Sequence, residues 1–339
     1  MQPISVIMPV LNEEAHIADA VKAVLEQNYP GDFELLLALG PSTDKTNAIA
    51  AEIAKTDKRV RLIDNPRGLT TVGLNEAIRQ SKYDIVIRID AHSEPATNYF
   101  KRGVEILNEQ KADLLGGIMD AKGKSAFQSA VAWAYTSRFG IGGANFHIGG
   151  EAGEAESAYL GIFRKSALER VGGYDEAIIR GEDWELAQRI KKTGGLVWFS
   201  PELKVVYWPR GTVGKLAKQF LATGIWRGDL TRRNSSDAPW RYWVPPILVG
   251  AVVWGLVLVS LNHYFGILPL AGYLMGVAFL ASGAKNLSLK ARIALLIALP
   301  TMHFAWGTGF WRGYFIAAAG TIDRSRTSAG KSNGGGTKN

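Results

Sequence analysis

The chain contains no cysteine. That absence excludes disulfides, thiolate metal sites and cysteine nucleophiles, so any catalytic base or metal ligand must be another residue type. A second absence is regional: acidic side chains disappear between residues 244 and 320, where long aliphatic and aromatic runs take their place. The hydrophobic fraction of 47% over 339 residues looks ordinary only because it averages that segment with the more polar remainder. A third absence lies at the N-terminus, where Met1-Gln2-Pro3-Ile4-Ser5-Val6-Ile7-Met8-Pro9 has no basic stretch leading into a signal-peptide core. It reads directly as a first strand, and the domain it begins is expected to remain in the cytoplasm.

The formal net charge is +8. Basic residues concentrate beside the apolar segments (Arg227, Arg232, Arg233, Arg241) and in the C-terminal tail (Arg324, Arg326, Lys331, Lys338). Flanks of this kind suit the cytoplasmic face of a membrane better than nucleic acid, so membrane lipid is expected as a partner and nucleic acid is not. Two runs, Val244 to Asn262 and Tyr264 to Ser282, are each near the roughly 20 residues that cross a bilayer, and a third runs from Ala291 to about Trp306. The Asn262-His263 turn has no Lys or Arg, whereas Lys285, Lys290 and Arg292 follow the second run, which places the first turn outside and the catalytic part inside. A third crossing would then send the basic tail outward, against the same rule, unless 307–320 returns.

Apolar runs at Ile4 to Met8, Phe33 to Leu39, Val60 to Ile63 and Asp84 to Ile89 are spaced by helical patterns, a βαβ rhythm that predicts a mostly parallel sheet. Ile17, Val21, Val24 and Leu25 share one helical face, as do Ile49 and Ile53. The glycine-rich stretch at 142–153 suits a loop over a site. A helix is predicted over Glu182 to Lys192, with two further strand-like runs at Leu196 to Phe199 and Val205 to Trp208.

Several strand ends carry polar residues, and ligands bind at the carboxyl edge of such sheets. The first strand leads through Pro9 into Asn12, Glu13 and Glu14; the second ends in Gly40-Pro41-Ser42-Thr43-Asp44. Asp44 can accept hydrogen bonds from a base or cap the next helix. Asp90-Ala91-His92 closes the fourth strand, where a carboxylate and an imidazole two residues apart can reach one divalent cation or serve as turn residues. Glu182 and Asp183 open a helix whose dipole favours their ionised forms, as a general base requires and as a simple cap also requires.

In that order, Pro9-Asn12-Glu13, Ser42-Thr43-Asp44, Asp90-Ala91-His92 and Glu182-Asp183 resemble the family 2 glycosyltransferases, over roughly Ile4 to Trp226. Asp90-Ala91-His92-Ser93, Gly172-Gly173-Tyr174-Asp175-Glu176 and Gly181-Glu182-Asp183 also look like the succinoglycan-biosynthesis branch, whose members carry C-terminal membrane helices. The resemblance implies an α/β fold of the GT-A type, Rossmann-like, followed by transmembrane helices. It also implies inverting transfer from a nucleoside-diphosphate sugar, with uridine as the expected base, to a polyprenyl-linked glycan acceptor in cell-envelope or polysaccharide synthesis. On the matching positions, Pro9, Glu13, Asp44 and Asp90 would line the nucleotide pocket, and Asp90 with His92 would hold Mn2+ or Mg2+. Asp183, beside Glu182, would be the catalytic base. Trp226, Gln219 and Arg189 are expected on the acceptor side.

The family usually has Asp-x-Asp where this chain has His92 in the third place, which puts metal identity and strict metal dependence in doubt. Gln219 and Trp226 are spaced unlike the Gln-x-x-Arg-Trp of processive synthases, so single-sugar transfer is expected. The expected organisation is a GT-A domain at 1–226, a basic interfacial connector at 227–243, a membrane domain of about three helices at 244–320 and a disordered tail at 321–339. This would be a multi-pass protein of the plasma (inner) membrane. His303 and Arg312 are candidates to touch a lipid phosphate or to face the bundle, and Trp306, Phe310, Trp311, Tyr314 and Phe315 are expected to form an interfacial belt. Two rivals are a polyprenyl-phosphate sugar synthase and a non-catalytic scaffold that keeps the nucleotide-sugar fold.

Overall fold

The computed structural model describes residues 1–141, 143–233 and 238–318; Gly142, the connector segment 234–237 and the expected tail lie outside the described residues. The chain alternates β1 (Ile4–Val10), α1 (Ile17–Leu25), β2 (Phe33–Leu39), α2 (Thr46–Thr56), β3 (Val60–Asp64), α3 (Thr70–Gln80) and β4 (Ile85–Arg88). Then come β5 (Glu94–Pro95), α4 (Tyr99–Glu109), β6 (Leu114–Ala121), α5 (Ala126–Tyr135), α6 (Asn145–Ile148) and β7 (Gly153–Glu154). β8 (Ile162–Arg164), α7 (Lys165–Val171), α8 (Glu182–Lys192), β9 (Val197–Tyr207) and α9 (Val213–Arg233) complete the part before the long apolar runs. Those runs form α10 (Val244–Ser260), α11 (Leu268–Gly283) and α12 (Leu289–Ile316), with 3-10 turns at Trp240–Trp243 and Tyr264–Ile267.

The strands join one mixed sheet in the order β3-β2-β1-β4-β8-β6-β9-β5, with β7 on β9. β1 to β4 are parallel to one another, and β8 runs antiparallel to both neighbours. Because helices cover both faces, these strands read as continuous apolar runs. Val6, Met8 and Leu37 pack with Val21 and Phe100 on one face, while Ile7, Leu36 and Val86 pack with Leu74, Leu168 and Leu186 on the other. Each such fully buried side chain contributes about 1.5–3 kcal/mol. The parallel strands therefore present their carboxyl ends along one rim.

Three expectations about the elements change. The runs at 196–199 and 205–208 are one strand, β9, whose pairing with β6 skips between Gly116 and Ile118. Ser200-Pro201-Glu202 falls in that skip, where the missing N–H of proline breaks no β6 pair. The boundary expected at Trp226 falls inside α9, which runs on to Arg233 without interruption. The third apolar run does not end near Trp306: α12 continues as helix to Ile316, so through that residue there is no returning segment.

α9 and α12 meet at unusually short range. A Cβ built on Gly224 would lie 2.1 Å from Trp306 O, one on Gly228 2.1 Å from Phe310 O, and one on Gly313 1.8 Å from Ile225 O. Small residues four apart let two helix backbones approach this closely. They belong to a six-residue repeat, Thr223-Gly224-Ile225-Trp226-Arg227-Gly228 on α9 and Thr308-Gly309-Phe310-Trp311-Arg312-Gly313 on α12. The expected aromatic belt is correspondingly altered, since Phe310 is fully buried and packs on the Trp243 ring, whereas Phe315 is exposed.

Candidate active site

The loops after β1 and β2 are laced together at the rim. Asn12 adopts a left-handed backbone with φ of 54°, a conformation that asparagine tolerates better than most residues. Its N–H donates to Ser42 Oγ at 3.1 Å, and its Oδ1 accepts the Thr43 N–H at 2.8 Å. Glu13 N–H donates to Thr46 Oγ1 at 2.8 Å. Asp44 Oδ1 accepts the Thr46 N–H at 3.0 Å and the Thr46 hydroxyl, and Oδ2 accepts the Glu14 N–H at 3.3 Å. Desolvation alone would raise the Asp44 pKa, but these hydrogen bonds win and hold it below the usual carboxylate range. Asp44 thus fastens the start of α2 to the β1 loop. Pro9 sits one step before this loop on β1, beyond the last β1–β4 pair at Ile7, where its missing N–H breaks no β4 contact.

The centre of the site is a residue that no sequence motif singles out. Arg88, at the end of β4, is 2% exposed, and its guanidinium gathers three carboxylates. Nε donates to Asp90 Oδ1 at 3.0 Å, Nη1 to Asp183 Oδ1 at 2.6 Å and Nη2 to Glu182 Oε1 at 3.3 Å. Burial works against the Arg88 charge, but Asp183, Asp90, Tyr174 and Glu182 hold its pKa well above the ordinary value. Desolvation pushes the Tyr174 hydroxyl, which sits 3.5 Å from Asp183 Oδ1, up, so it remains a donor. α8 begins at Gly181, whose φ of 81° favours glycine, and the helix dipole adds to the stabilisation of Glu182 and Asp183. Asp183 is the most accessible of the three carboxylates, with its side chain 27% exposed against 10% for Asp90 and Glu182. It is the one that a reactant can touch.

His92 follows on the same rim, and its Nδ1 lies 3.4 Å from Glu13 Oε1. Among the described residues, no group of three His, Asp or Glu side chains is placed to hold a metal. Asp90 and His92 offer one carboxylate and one imidazole, donor types that suit manganese better than magnesium, and Asp90 Oδ1 is bonded by Arg88 Nε.

A cavity of about 1350 Å³ runs from Glu156, Trp184, Arg227 and Arg241 to an apolar wall that includes Leu248 and Leu280 of the long helices. Residues of the glycine-rich 142–153 stretch line its side, as expected of a loop over a site. Glu156 accepts from Trp184 Nε1 at 2.7 Å and Tyr242 OH at 2.9 Å, and pairs with Arg241. Burial would raise the Glu156 pKa, but Arg241, Trp184 and Tyr242 lower it. The Arg227 guanidinium stacks 5.0 Å above Trp184 and 4.4 Å above Tyr242, and its Nη1 is buried with no hydrogen-bond partner among the described residues. Trp184, the residue after Asp183, lines the cavity, whereas Arg88, Asp90, Glu182 and Asp183 are not part of its lining.

Asp90, Glu182 and Asp183 are thus brought together, and Glu13 with His92 and Asp44 extends the same rim. The three residues expected on the acceptor side do not converge. Trp226 is 3% exposed and packs with Ile225, Leu230 and Ile178, which makes it a core residue here. Gln219 Nε2 donates to Tyr135 OH at 3.2 Å and Tyr207 OH at 3.0 Å. Arg189 pairs with Glu185 and donates to the Val171 and Gly173 carbonyls, fastening the turn that precedes α8. His303 faces the bundle, with Tyr273 OH at 2.9 Å and Gly140 O at 3.0 Å from its two nitrogens. Arg312 is exposed on α12. Arg227, Arg241 and Glu156 were missed as site residues, although an arginine directly after Trp226 was the available signal.

The family model described as glycosyl transferase family 2 matches residues 5–172. The chain is 31% identical over 313 residues to the succinoglycan biosynthesis protein ExoA of Rhizobium meliloti, covering 91% of this chain and 93% of that protein. It is 25% identical over 326 residues to a dolichyl N-acetyl-α-D-glucosaminyl phosphate 3-β-D-2,3-diacetamido-2,3-dideoxy-β-D-glucuronosyltransferase of Methanococcus voltae, covering 92% and 97%. Among solved structures, the mannosyltransferase PcManGT of Pyrobaculum calidifontis, in complex with GDP-Man and Mn2+, superposes with a TM-score of 0.58 at 19% identity, covering 92% of this chain and 87% of that one. This likeness supports the GT-A architecture.

Proposed function

The chain belongs to glycosyl transferase family 2, and from that premise we propose that it moves one sugar, with inversion, from a nucleoside-diphosphate sugar to a polyprenyl-linked glycan acceptor. The observation that carries this reading is Arg88 holding Asp90, Glu182 and Asp183 together, while Trp184, the residue after Asp183, lines a cavity whose far wall is apolar. The donor lies over the rim formed by Pro9, Glu13, Asp44 and Asp90. Uridine remains the expected base. The acceptor lipid lies along the wall made by α10 and α11, and Arg227 and Arg241 meet its phosphate groups. The Methanococcus relative, whose name gives a dolichyl-phosphate-linked sugar as acceptor, supports this choice.

Asp183 takes the proton of the acceptor hydroxyl as that oxygen bonds to the anomeric carbon, and the bond from that carbon to the diphosphate breaks on the opposite side. Arg88 fixes the orientation of Asp183 and offsets the repulsion of its two neighbouring carboxylates. Glu182 is the inner partner of that arrangement. A divalent ion bound by Asp90 and His92 would offset the negative charge on the departing diphosphate. Glu13 holds the His92 ring for that purpose.

The α10–α11 hairpin embeds in the plasma membrane, with the catalytic domain and the Lys285, Lys290 and Arg292 flank on the cytoplasmic side. Residues 1 to about 233 form the catalytic unit, and the 234–243 connector leads into the membrane domain. A second reading follows from the two arginines beside Trp184: the acceptor would be the lipid phosphate itself, giving a polyprenyl-phosphate sugar.

The test is purified protein in detergent, given a panel of sugar nucleotides with extracted membrane lipids and Mn2+ or Mg2+. The expected product is a lipid-linked glycan heavier by one sugar residue. A lipid monophosphate sugar would favour the second reading. Nucleotide binding with no transfer to any acceptor would leave only the scaffold rival.

A further inference from the structure

All three long helices have the length and composition of membrane spans, yet α12 keeps company that a span does not. Its neighbour α9 carries Lys215, Lys218, Arg227, Asp229, Arg232 and Arg233, a set too costly to place across hydrocarbon. Both ends of α9 also stay at the catalytic domain. Just before α9, the Pro209 carbonyl accepts Gln128 Nε2 at 2.9 Å. Past its far end, Arg241 and Tyr242 bond Glu156.

α12 follows α9 in the same direction. Gly224 and Gly228 meet Trp306 and Phe310, while Gly309 and Gly313 meet Leu221 and Ile225, so the register advances four residues on both helices together. The ends of α12 stay at the catalytic domain as well. α12 packs along α5, His303 Nε2 lies 3.0 Å from the Gly140 carbonyl, and Ala318, just after α12, belongs to the buried cluster of Ile178 and Trp184. One side of α12 buries Leu295, Leu299, Met302 and Phe310, while Leu289, Ile293, Leu296, Ile297, Phe315 and Ile316 are exposed. An apolar stripe on a helix whose other side is fixed to a polar domain is the arrangement of an interfacial helix.

We propose that α12 does not cross the bilayer but lies along its surface on the catalytic-domain side, with that stripe among the acyl chains. Only the α10–α11 hairpin crosses, twice, and the basic sequence after α12 stays on the same side as the catalytic domain. This resolves the conflict that a third crossing creates, because Lys285, Lys290, Arg292, Arg312 and the tail lysines and arginines then all share one face. The inference rests on the membrane attachment proposed above.

The absence of cysteine makes the test direct. Single variants Lys58→Cys in the catalytic domain, His263→Cys in the hairpin turn, Asn286→Cys before α12 and Ser332→Cys after it are labelled with a membrane-impermeant maleimide, in intact and in permeabilised cells. Sugar transfer by each variant confirms that it is folded. The expected result is that 263 labels in intact cells, whereas 58, 286 and 332 label only after permeabilisation. Labelling of 332 together with 263 would mean a third crossing and would overturn the inference while leaving the membrane attachment standing. If 263 labelled like 58, no crossing would exist, and both the attachment and the inference would fall.

Discussion

Arg88 Nη1 lies 2.6 Å from Asp183 Oδ1, and this one contact joins residues 95 apart in the chain. It ties the end of β4, where the donor rim lies, to the first turn of α8. The same guanidinium holds Asp90 and Glu182, so one buried positive charge serves three carboxylates. Removing it with Arg88→Met withdraws that charge from all three at once. The expected loss is about 3–5 kcal/mol of stability, read as a lower midpoint of thermal unfolding. Arg88→Lys restores charge without the planar fork and should fall between the two. A methionine variant as stable as the parent would mean that the cluster is not the structural keystone described.

Asp183→Asn keeps the shape and a hydrogen-bond acceptor for Arg88 but removes the base. Turnover should fall by about 10²–10⁴-fold, while the affinity for the sugar nucleotide and the unfolding midpoint change little. Titration calorimetry beside product analysis separates the effects. Intact turnover would transfer the role to another residue, and lost nucleotide binding would make Asp183 part of the donor pocket.

The parallel sheet was legible because β1, β2 and β4 are buried on both faces, the edge strand β3 still buries Val60 and Ile63, and turn residues bound all four, so the apolar runs mark them directly. Asp90, Glu182 and Asp183 were legible as separate motifs, each with a capping or turn alternative. What joins them was not. Arg88 alternates with the core residues Ile87 and Ile89, and a charged residue at such a strand end normally points to solvent. Its burial depends on α8 arriving from far along the chain, which no local pattern encodes. The repeat Thr-Gly-x-Trp-Arg-Gly stands twice in the sequence, but six residues do not say that the copies pack together. Length and apolarity make α12 a candidate span, and composition does not register which protein surface a helix covers.

Gly313 tests that packing. A side chain there would meet the Ile225 carbonyl at 1.8 Å from its Cβ alone, and backbone cannot yield as a side-chain tip can. Gly313→Leu should separate α9 from α12 and lower the unfolding midpoint in detergent, at a cost on the order of 1–3 kcal/mol or more. Thr308→Leu, on the exposed side of the same helix, is the control and should be nearly neutral. Equal behaviour of the two would contradict the close approach.

His147 sets an acid limit. The residue as a whole is only half-buried, yet its ring lies against Phe146 and Tyr135, and its Nδ1 has no partner among the described residues. Desolvation lowers its pKa from 6.5 to about 3. Between those values the unfolded chain binds a proton that the folded chain refuses, so stability declines as pH falls from about 6.5 toward 3. His147→Phe removes this contribution and should flatten the unfolding midpoint against pH over that window. An unchanged slope would assign the acid loss to the carboxylates instead.

Arg227 offers the sharpest separation between the two substrates. Its guanidinium is held over Trp184 and Tyr242, which line the cavity with it, and none of Pro9, Glu13, Asp44 or His92 lines that cavity. A phosphate of the acceptor lipid arriving there would gain a charge-assisted hydrogen bond worth about 1.5–3 kcal/mol, which corresponds to roughly 10- to 150-fold in affinity. Arg227→Gln should therefore raise KM for the lipid acceptor by at least about tenfold, with KM for the sugar nucleotide and kcat at saturating acceptor nearly constant. Glu156→Gln should act in the opposite direction, because it withdraws the carboxylate that competes for Arg241. If Arg227→Gln instead raised the donor KM, the diphosphate would lie on the α9 side of Asp183, and donor and acceptor would have to exchange places in the cavity.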